Sequence, residues 1–297
     1  MSDFAEPVLI GVDGGGTGCR AAVGTARQGI LAIAEGGPAN VTTDRKSALH
    51  NVMTAIENAA QDAGIDHETL LRGHAYIGLA GVMSAKDSTQ VANTLPFDRI
   101  TVTDDRPTSV AGALGGRDGY LLAIGTGCIV AHNGKGHARF VNGWGFQLSD
   151  QGSGAWLGRA AMEQVLLCHD GLAEHSQLTQ ELMARFNDDP NQIVTFAANA
   201  CPAGFAAFAP KVIDAAQSGD AVARELMQRG AGFLTRGLQT LGFDETQTLC
   251  LTGGVGPAYK AYLPEQFLAQ VVAPKGSALD GAFYLAGRQA HDKEPSL

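Results

Sequence analysis

Long apolar runs are missing from this sequence. The longest ones, such as residues 120–124, fall far short of the roughly 20 residues that a transmembrane helix needs. The acidic residues Asp3 and Glu6 stand where a secretory leader would carry basic ones. We therefore expect a cytoplasmic protein without a membrane partner.

Positive charge is also scarce. Lys and Arg total 21 against 30 Asp and Glu, which gives a formal net charge of −9. Proteins bind the phosphate backbones of nucleic acids through clustered Lys and Arg side chains, so this excess of acidic residues argues against DNA or RNA as a partner. It does not exclude a single nucleotide, whose phosphates can be bound by backbone N–H groups and helix dipoles.

Cysteines are few and scattered. Their count of five is odd, no two form a Cys-x-x-Cys pair, and the eight histidines also lack ligand spacing. This pattern argues against a disulfide scaffold or a structural zinc site and favours free thiols in a reducing compartment. The cysteines are Cys19, Cys128, Cys168, Cys201 and Cys250.

Glycine, in contrast, is abundant, and its 39 residues cluster in turns between predicted elements. A chain of 297 residues is long enough for two domains. One series of predicted elements occurs twice: a strand, a turn with glycine and threonine, and two further strands. Helices and more strands follow each copy, which indicates mixed sheets with helices on their faces. The predicted strands cover residues 8–12, 19–24, 30–35, 74–79, 99–103, 120–124, 128–133, 138–141 and 248–251, and the predicted helices cover residues 47–63, 84–94, 107–114, 154–167, 177–186, 192–198, 206–218 and 220–241.

The run Asp13-Gly14-Gly15-Gly16-Thr17 follows the first predicted strand. Three glycines let the backbone approach an anion and turn its N–H groups toward it, and Thr17 adds a hydroxyl donor. Asp13, at the strand end, could face Mg²⁺ or its water shell. The run is not a Walker loop, because no Gly-Lys-Ser follows, and an ordinary glycine hairpin is the alternative.

Two further glycine runs follow predicted strands. Gly125-Thr126-Gly127 repeats the pattern of small residues with a threonine, so two turns could approach one triphosphate. Thr252-Gly253-Gly254 suits a flat purine that lies on the backbone. For each run a plain turn is the alternative.

Two acidic sites have a rival structural interpretation. Asp104 and Asp105 follow a predicted strand, where a carboxylate could accept a proton from a substrate hydroxyl or could cap the next helix. Asp150 could hydrogen-bond sugar hydroxyls, or either Asp150 or Ser153 could cap the helix that follows. The residue types alone leave these alternatives open.

Taken together, these runs resemble the BadF/BadG/BcrA-type sugar kinases of the actin-like ATPase superfamily, a group that contains bacterial glucosamine kinases and N-acetylglucosamine kinases. The similarity extends from Val8 to about Gly287. Its most specific pieces are Asp13-Gly-Gly-Gly-Thr with Cys19-Arg20, Ser149-Asp-Gln-Gly-Ser-Gly, and the segments 165–171, 186–187 and 278–287.

The resemblance implies an α/β fold of two ribonuclease H-like domains, each a mixed five-stranded sheet with flanking helices, around a central cleft. It implies one domain over residues 1–114, completed by a C-terminal helix over 278–297, and a second over 115–277. It also implies ATP and Mg²⁺ as cofactors and a homodimer as the assembly.

Residue by residue, the resemblance makes Asp105 the catalytic base and lets Asp13 face Mg²⁺ through water. The implied ATP-binding residues are Asp13, Gly14, Gly15, Gly16, Thr17, Gly125, Thr126, Gly127, Ala206, Gly253 and Gly254. The implied sugar-binding residues are Asn40, Gly81, Asp105, Gly143, Trp144, Gly145 and Asp150.

The implied reaction transfers the γ-phosphoryl group of ATP to the 6-hydroxyl of glucosamine, with N-acetylglucosamine or glucose as alternative acceptors. Gln151 stands where N-acetylglucosamine kinases often carry Glu, which changes the charge expected near the sugar's 2-position without deciding the acceptor. An activator ATPase for acyl-CoA dehydratases would need cysteines that ligate an iron–sulfur cluster, and Cys128 has no partner cysteine nearby. A non-catalytic sugar sensor would usually carry a DNA-binding helical module ahead of the glycine turn, for which the sequence before Asp13 leaves no room.

Overall fold

The structure is a computed structural model that describes residues 6–292. In this part of the chain the residues divide into two compact units. The first unit comprises residues 6–116 and 274–292, and the second unit comprises residues 117–273. Each unit contains one five-stranded sheet.

The sheet of the first unit has the order β3-β2-β1-β4-β5. The pairs β1–β4 and β4–β5 are parallel, whereas β2 lies antiparallel to both β1 and β3. The carboxyl ends of β1, β4 and β5 therefore meet at one edge. The elements are β1 Val8–Gly14, β2 Cys19–Thr25, β3 Gly29–Gly36, α1 Arg45–Asp62, α2 His67–Leu71, β4 His74–Leu79, α3 Ala85–Ala92, β5 Arg99–Thr103 and α4 Arg106–Leu114.

The sheet of the second unit has the order β10-β9-β6-β7-β8, in which β6, β9 and β10 are parallel and β7 is antiparallel to β6 and β8. Its elements are β6 Gly119–Ile124, β7 Cys128–Gly134, β8 His137–Val141, α5 Gly154–His169, α6 Gln177–Arg185, α7 Pro190–Asn199, α8 Pro202–Ala206, α9 Ala209–Gln217, α10 Ala221–Thr240, β9 Thr248–Thr252, a 3-10 helix Gly256–Ala261, α11 Glu265–Leu268 and β10 Val271–Val272.

The last helix, α12 (Ala278–Asp292), returns to the first unit and packs on α4, β1 and β4. Close contact is possible because glycines stand at the points where α12 meets β1 and α4. A Cβ on Gly281 would strike the backbone of α4, and one on Gly11 would strike the backbone at Phe283. Residues 293–297 of the predicted C-terminal helix lie outside the described residues.

Each unit has its own apolar core. The first core gathers β1 residues such as Val12, which is fully buried, and one face of α1, whose buried residues include Val52 and Ile56. Helix α1 begins where the Asp44 carboxylate accepts the N–H of Ser47. The second core joins β6 and β7 to α5 and α10. Burying each large aliphatic side chain contributes about 1.5–3 kcal/mol to folding. The two cores therefore stabilise the sheets whose edges carry the predicted site residues.

The predicted fold class is confirmed: both units are α/β layers around a mixed five-stranded sheet. The single helix predicted over residues 206–218 is wrong, because Ala206 ends α8 and a new helix starts at Ala209. Pro210 explains the break, since a proline ring disfavours a continuous helix through the preceding turn. The short elements α2, α11, β10 and the 3-10 helix were not predicted, because so few residues show no periodicity.

In the described part of the chain, no helix combines the length and apolarity that a membrane span requires.

Candidate active site

The carboxyl edge of the first sheet carries three of the predicted site residues. Asp13 lies near the end of β1, Gly81 comes two residues after β4, and Asp105 comes two residues after β5. Open α/β sheets bind ligands outside the carboxyl ends of their parallel strands. The topology therefore brings these residues to the edge where a ligand is expected.

The glycine turn after β1 contains both structural and unexplained glycines. The Gly15 N–H donates to the Gly18 carbonyl at 2.8 Å and closes the turn between β1 and β2. Gly14 lacks space for a side chain, because a Cβ there would strike Leu79. At the exposed Gly16, however, φ is not positive and a Cβ would meet no atom of the described residues within 4 Å. Neither packing nor backbone conformation requires glycine there.

The Asp13 carboxylate pairs with Arg20, its cross-strand neighbour in the β1–β2 ladder. The Arg20 guanidinium donates from Nη2 to Asp13 Oδ2 at 2.7 Å, and the Asp13 side chain is 21% exposed. This bond uses one carboxylate oxygen, so Oδ1 remains available to a hydrated cation. Thr17 is exposed on the turn beside it.

Asp104 and Asp105 have different environments. Both Asp104 oxygens accept from the Arg106 guanidinium, at 2.7 and 3.0 Å. The half-buried Asp105 lies at the start of α4 but makes no capping hydrogen bond with its side chain. Burial raises the pKa of Asp105 to about 6, and the negative charges of Asp104 and Asp13 contribute to the rise.

Asn40 and Gly81 contact each other in the first unit. Asn40 Oδ1 accepts the Thr42 N–H at 2.9 Å, and a Cβ on Gly81 would strike that same oxygen. Gly81 also has a φ of +85°, which favours glycine. The Asn40 oxygen thus stabilises a local turn, and its amide nitrogen is the group that a ligand could contact.

In the second unit, the turn after β6 is bound to the start of α5. The Gly125 N–H donates to the Gly127 carbonyl at 3.0 Å, while the Gly154 and Ala155 N–H groups donate to the Gly125 and Thr126 carbonyls at 2.8 and 3.2 Å. Ala206 lies beside the same junction, since a Cβ on Gly154 would be 3.4 Å from the Ala206 Cβ. The structure therefore brings two predicted ATP-binding segments, residues 125–127 and Ala206, to the start of α5.

The end of β9 lies next to this turn. Gly253 has a φ of +79°, and a Cβ there would strike the Ile124 carbonyl. Gly254 is exposed, and at both Gly125 and Gly254 a Cβ would meet no atom of the described residues within 4 Å. These two glycines, like Gly16, are therefore not explained by internal packing.

Four predicted sugar-binding residues, Gly143, Trp144, Gly145 and Asp150, lie in the loop over residues 142–151 between β8 and α5, which we call the predicted sugar loop. Ser153, not Asp150, caps α5 by accepting the Trp156 N–H at 3.1 Å, which settles one open alternative. Asp150 is only 7% exposed; burial raises its pKa, and the N–H groups of Cys128 and Gly145 oppose that rise. The loop also contains Gly143 and Trp144, and Trp144 is 70% exposed.

Comparisons with known proteins identify the family of this chain. A sequence profile of the BadF/BadG/BcrA/BcrD ATPase family matches residues 10–278. The chain belongs to this family. The resemblance expected from its motifs is thereby confirmed.

Among its relatives, the glucosamine kinase GspK of Vibrio cholerae serotype O1 is 32% identical over 287 residues, covering 95% of this chain and 97% of the relative. The N-acetyl-D-glucosamine kinase of Dictyostelium discoideum is 26% identical, covering 84% and 86%. A Chromobacterium violaceum structure, provisionally assigned as an N-acetylglucosamine kinase, has a TM-score of 0.86 at 32% identity, covering 95% of this chain and 99% of its own.

Sequence reasoning assigned no role to two residues that help to build the candidate site. Arg20 stands in the resembling motif, but its pairing with Asp13 follows from the β1–β2 register. Asn142 is a buried polar side chain that holds the predicted sugar loop, and its hydrogen bonds reach residues seven to nine positions away. Alternation along the strands could have indicated the first pair.

The family's implied Mg²⁺ fits the first unit in chemical terms. Mg²⁺ prefers oxygen ligands, keeps several waters and often uses one or two carboxylates plus substrate phosphates. Asp13, with Oδ1 available beside the open Gly16, supplies such a ligand. Within residues 6–292 no group of three or more His, Cys, Asp and Glu side chains is arranged as a metal site. The five cysteines are free thiols, and Cys201 is exposed.

Proposed function

We propose that this protein is an ATP-dependent amino-sugar kinase that transfers the γ-phosphoryl group of ATP to the 6-hydroxyl of glucosamine. The observation that carries the proposal is Asp105. Its carboxylate makes no capping hydrogen bond to α4, has a pKa raised to about 6 by burial and by the charges of Asp104 and Asp13, and lies at the carboxyl edge of the first sheet. A base with a pKa close to neutral suits removal of a hydroxyl proton.

In the proposed reaction, Asp105 accepts the proton of the sugar 6-hydroxyl as that oxygen attacks the γ-phosphorus. The bond between the γ-phosphorus and the β–γ bridging oxygen breaks, and ADP leaves. Asp104 cannot serve equally well, because both of its oxygens accept from Arg106. Asp105 would orient the attacking oxygen as much as deprotonate it, since positioning dominates catalysis of phosphoryl transfer.

The three open glycines support ATP as the donor. Gly16, Gly125 and Gly254 occur in the three runs predicted to bind nucleotide, and each could carry a Cβ without an internal clash. A bound ligand close to the backbone is a physical reason to lack that Cβ. Backbone N–H groups near such glycines would stabilise the charge that develops on the transferred group.

Asp13 would hold Mg²⁺ through water, and Arg20 would keep the carboxylate in place from the opposite oxygen. When bound, the cation neutralises phosphate charge during transfer. The candidate sugar-binding residues are Asp150 and Trp144 in the second unit and Asn40 and Gly81 in the first.

The choice of glucosamine draws support from the 32% identical Vibrio glucosamine kinase. N-acetylglucosamine is the alternative acceptor, supported by the names of the Dictyostelium and Chromobacterium proteins. We also propose a homodimer, for which light scattering after size exclusion should give twice the chain mass of 30.8 kDa.

A panel of sugars in a coupled ADP-release assay tests the function. We expect the highest kcat/KM with glucosamine, lower values with N-acetylglucosamine and glucose, and a phosphate on the 6-oxygen of the product by phosphorus–proton NMR correlation. A higher kcat/KM with N-acetylglucosamine would establish the alternative. Failure of every sugar to stimulate ADP release would overturn the kinase proposal.

A further inference from the structure

Asn142 connects both ends of the loop over residues 142–151. Its Oδ1 accepts from the Ser149 hydroxyl and from the Asp150 N–H, the latter at 3.0 Å, and its Nδ2 donates to the Gln151 carbonyl at 3.4 Å. The side chain is buried, with an exposure of 6%. One amide thus satisfies three partners from the far end of its own loop.

The backbone at these ends is unusual for residues other than glycine. Asn142 has a φ of +72° and Asp150 a φ of +62°, both in the left-handed region. Asn and Asp tolerate this region better than most residues, but it remains unfavourable for any residue with a Cβ. The hydrogen bonds of Asn142 therefore help to maintain a conformation that the backbone alone does not favour.

The same amide links the loop to the turn after β6. The Asn142 side chain opposes the rise that burial causes in the pKa of the Cys128 thiol, and the Cys128 and Gly145 N–H groups oppose the rise in the pKa of Asp150, so these groups lie close to one another. A Cβ on Gly127 would be 3.2 Å from Asp150 Oδ2. Asn142 and Asp150 thus fasten the loop to the residues that follow Gly125-Thr126-Gly127.

We propose that Asn142 is a positioning residue for the sugar site, which holds Asp150 and the exposed Trp144 in the geometry that the acceptor requires. This inference rests on the proposed function. Trp144 has little core support, since its side chain is 70% exposed, so the order of its loop depends on bonds at the loop ends. A preorganised loop binds better because less conformational entropy is lost on binding.

Asn142→Gly removes the amide while keeping a residue that adopts positive φ without strain. We expect kcat/KM for the amino sugar to fall about 10- to 100-fold, the upper end being the scale for a site displaced by about 1 Å. Sugar-independent ATP hydrolysis should change far less. Asn142→Ala, which loses the amide and also strains the backbone, should be at least as impaired.

Asn187→Gly is the matched control, because Asn187 is another asparagine of the second unit with positive φ (+56°) and is exposed. It should retain the parent kcat/KM. If Asn142 served only to tolerate its φ, then Asn142→Gly would equal or exceed the parent enzyme, and that result would overturn the proposal.

A readout that is independent of turnover separates this inference from the proposed function. Trp144 and Trp156 are the two tryptophans of the chain. In a Trp156→Phe background, Asn142→Gly should lower the fluorescence anisotropy of Trp144, whereas Asn187→Gly should not. An unchanged anisotropy overturns the positioning role, as does a lowered anisotropy with full sugar kcat/KM. If the parent protein phosphorylates no amino sugar, the proposed function fails and Asn142 loses its role in a sugar site, whatever the anisotropy.

Discussion

The turn after β1 and the turn after β6 both join antiparallel strands through glycine and threonine, but they differ in length. In the first unit Gly14 pairs with Cys19, so four residues form the loop, and in the second unit Ile124 pairs with Cys128, so three residues do. Each loop is closed by one backbone hydrogen bond between its end residues, at 2.8 and 3.0 Å.

The two turns also obtain their charge differently. In the first unit a carboxylate stands on strand β1 itself, at Asp13, and Asp105 adds another just after β5, two strands away in the sheet. Strand β6 carries no carboxylate, and Asp150 instead approaches Gly127 from a loop. We infer that the first unit supplies the carboxylates proposed to bind Mg²⁺ and to accept the sugar proton. The second unit supplies mostly neutral backbone N–H groups and one buried carboxylate, Asp150.

The largest expected effect tests the charge of the first unit. Asp105→Asn removes the proposed base but keeps its shape, so sugar-dependent turnover should fall by about 10²- to 10⁴-fold, the usual range for general base catalysis. ATP binding, measured by titration calorimetry, should persist. The exposed Asp98→Asn of the same unit is the control and should retain turnover. Full activity of Asp105→Asn would remove Asp105 from the mechanism.

The next effect compares the two turns directly. Gly16→Ala and Gly125→Ala should each lower kcat/KM for ATP by about 10- to 100-fold, because a hydrogen bond to a charged group contributes about 1.5–3 kcal/mol. Their thermal stability should be unchanged or slightly higher, since neither Cβ meets an internal atom of the described residues.

Gly253→Ala is the contrasting variant for the glycine pair. It should lose stability, because its φ of +79° and the nearby Ile124 carbonyl leave no place for a Cβ. If Gly16→Ala lowered kcat/KM for ATP and Gly125→Ala did not, the turn after β6 would be a plain hairpin. Only the turn after β1 would then be a phosphate-binding turn.

A smaller effect concerns pH. The pKa of Asp105 is raised to about 6, so kcat at saturating sugar should fall about tenfold per pH unit below that value, as the base becomes protonated. Asp104→Asn should move this acid limb to lower pH. It removes the carboxylate that raises the Asp105 pKa and releases Arg106, whose positive charge lowers it. A limb that stayed in place would show that another group controls the profile.

Local patterns predicted the elements with long apolar runs or clear periodicity. The strand predicted over residues 8–12 and the helix predicted over residues 47–63 follow from an apolar run and a helical period, whereas the break near Pro210 was missed because apolar periodicity continues across it. Sequence also predicted that carboxylates follow strands, since strand ends are visible in the pattern.

The roles within the site needed geometry. The bidentate contact of Arg106 with Asp104 and the half-buried, uncapped position of Asp105 distinguish the two carboxylates, and the capping bond of Ser153 excludes Asp150 from the cap position. The bonds of Asn142 join residues across an irregular loop, where no period of 2 or 3.6 exists to announce them. Side-chain hydrogen bonds in loops depend on backbone conformation that composition does not encode.

The smallest effect tests whether the charge of Asp105 is costly to the first unit, as the comparison implies. A carboxyl group whose folded pKa is raised from 3.8 to about 6 binds more protons in the folded state, so stability falls as pH rises from about 4 to 6 and stays lower above that range. Asp105→Asn should therefore stabilise the protein above pH 7 by about 1–3 kcal/mol, reduced by solvent screening, and have little effect below pH 4. Urea unfolding at pH 4 and pH 8, with Asp98→Asn alongside, measures this difference. Equal effects of Asp105→Asn on the free energy of unfolding at both pH values would mean that folding does not raise the pKa of Asp105. The proposed contrast in charge between the two units would then lose this support.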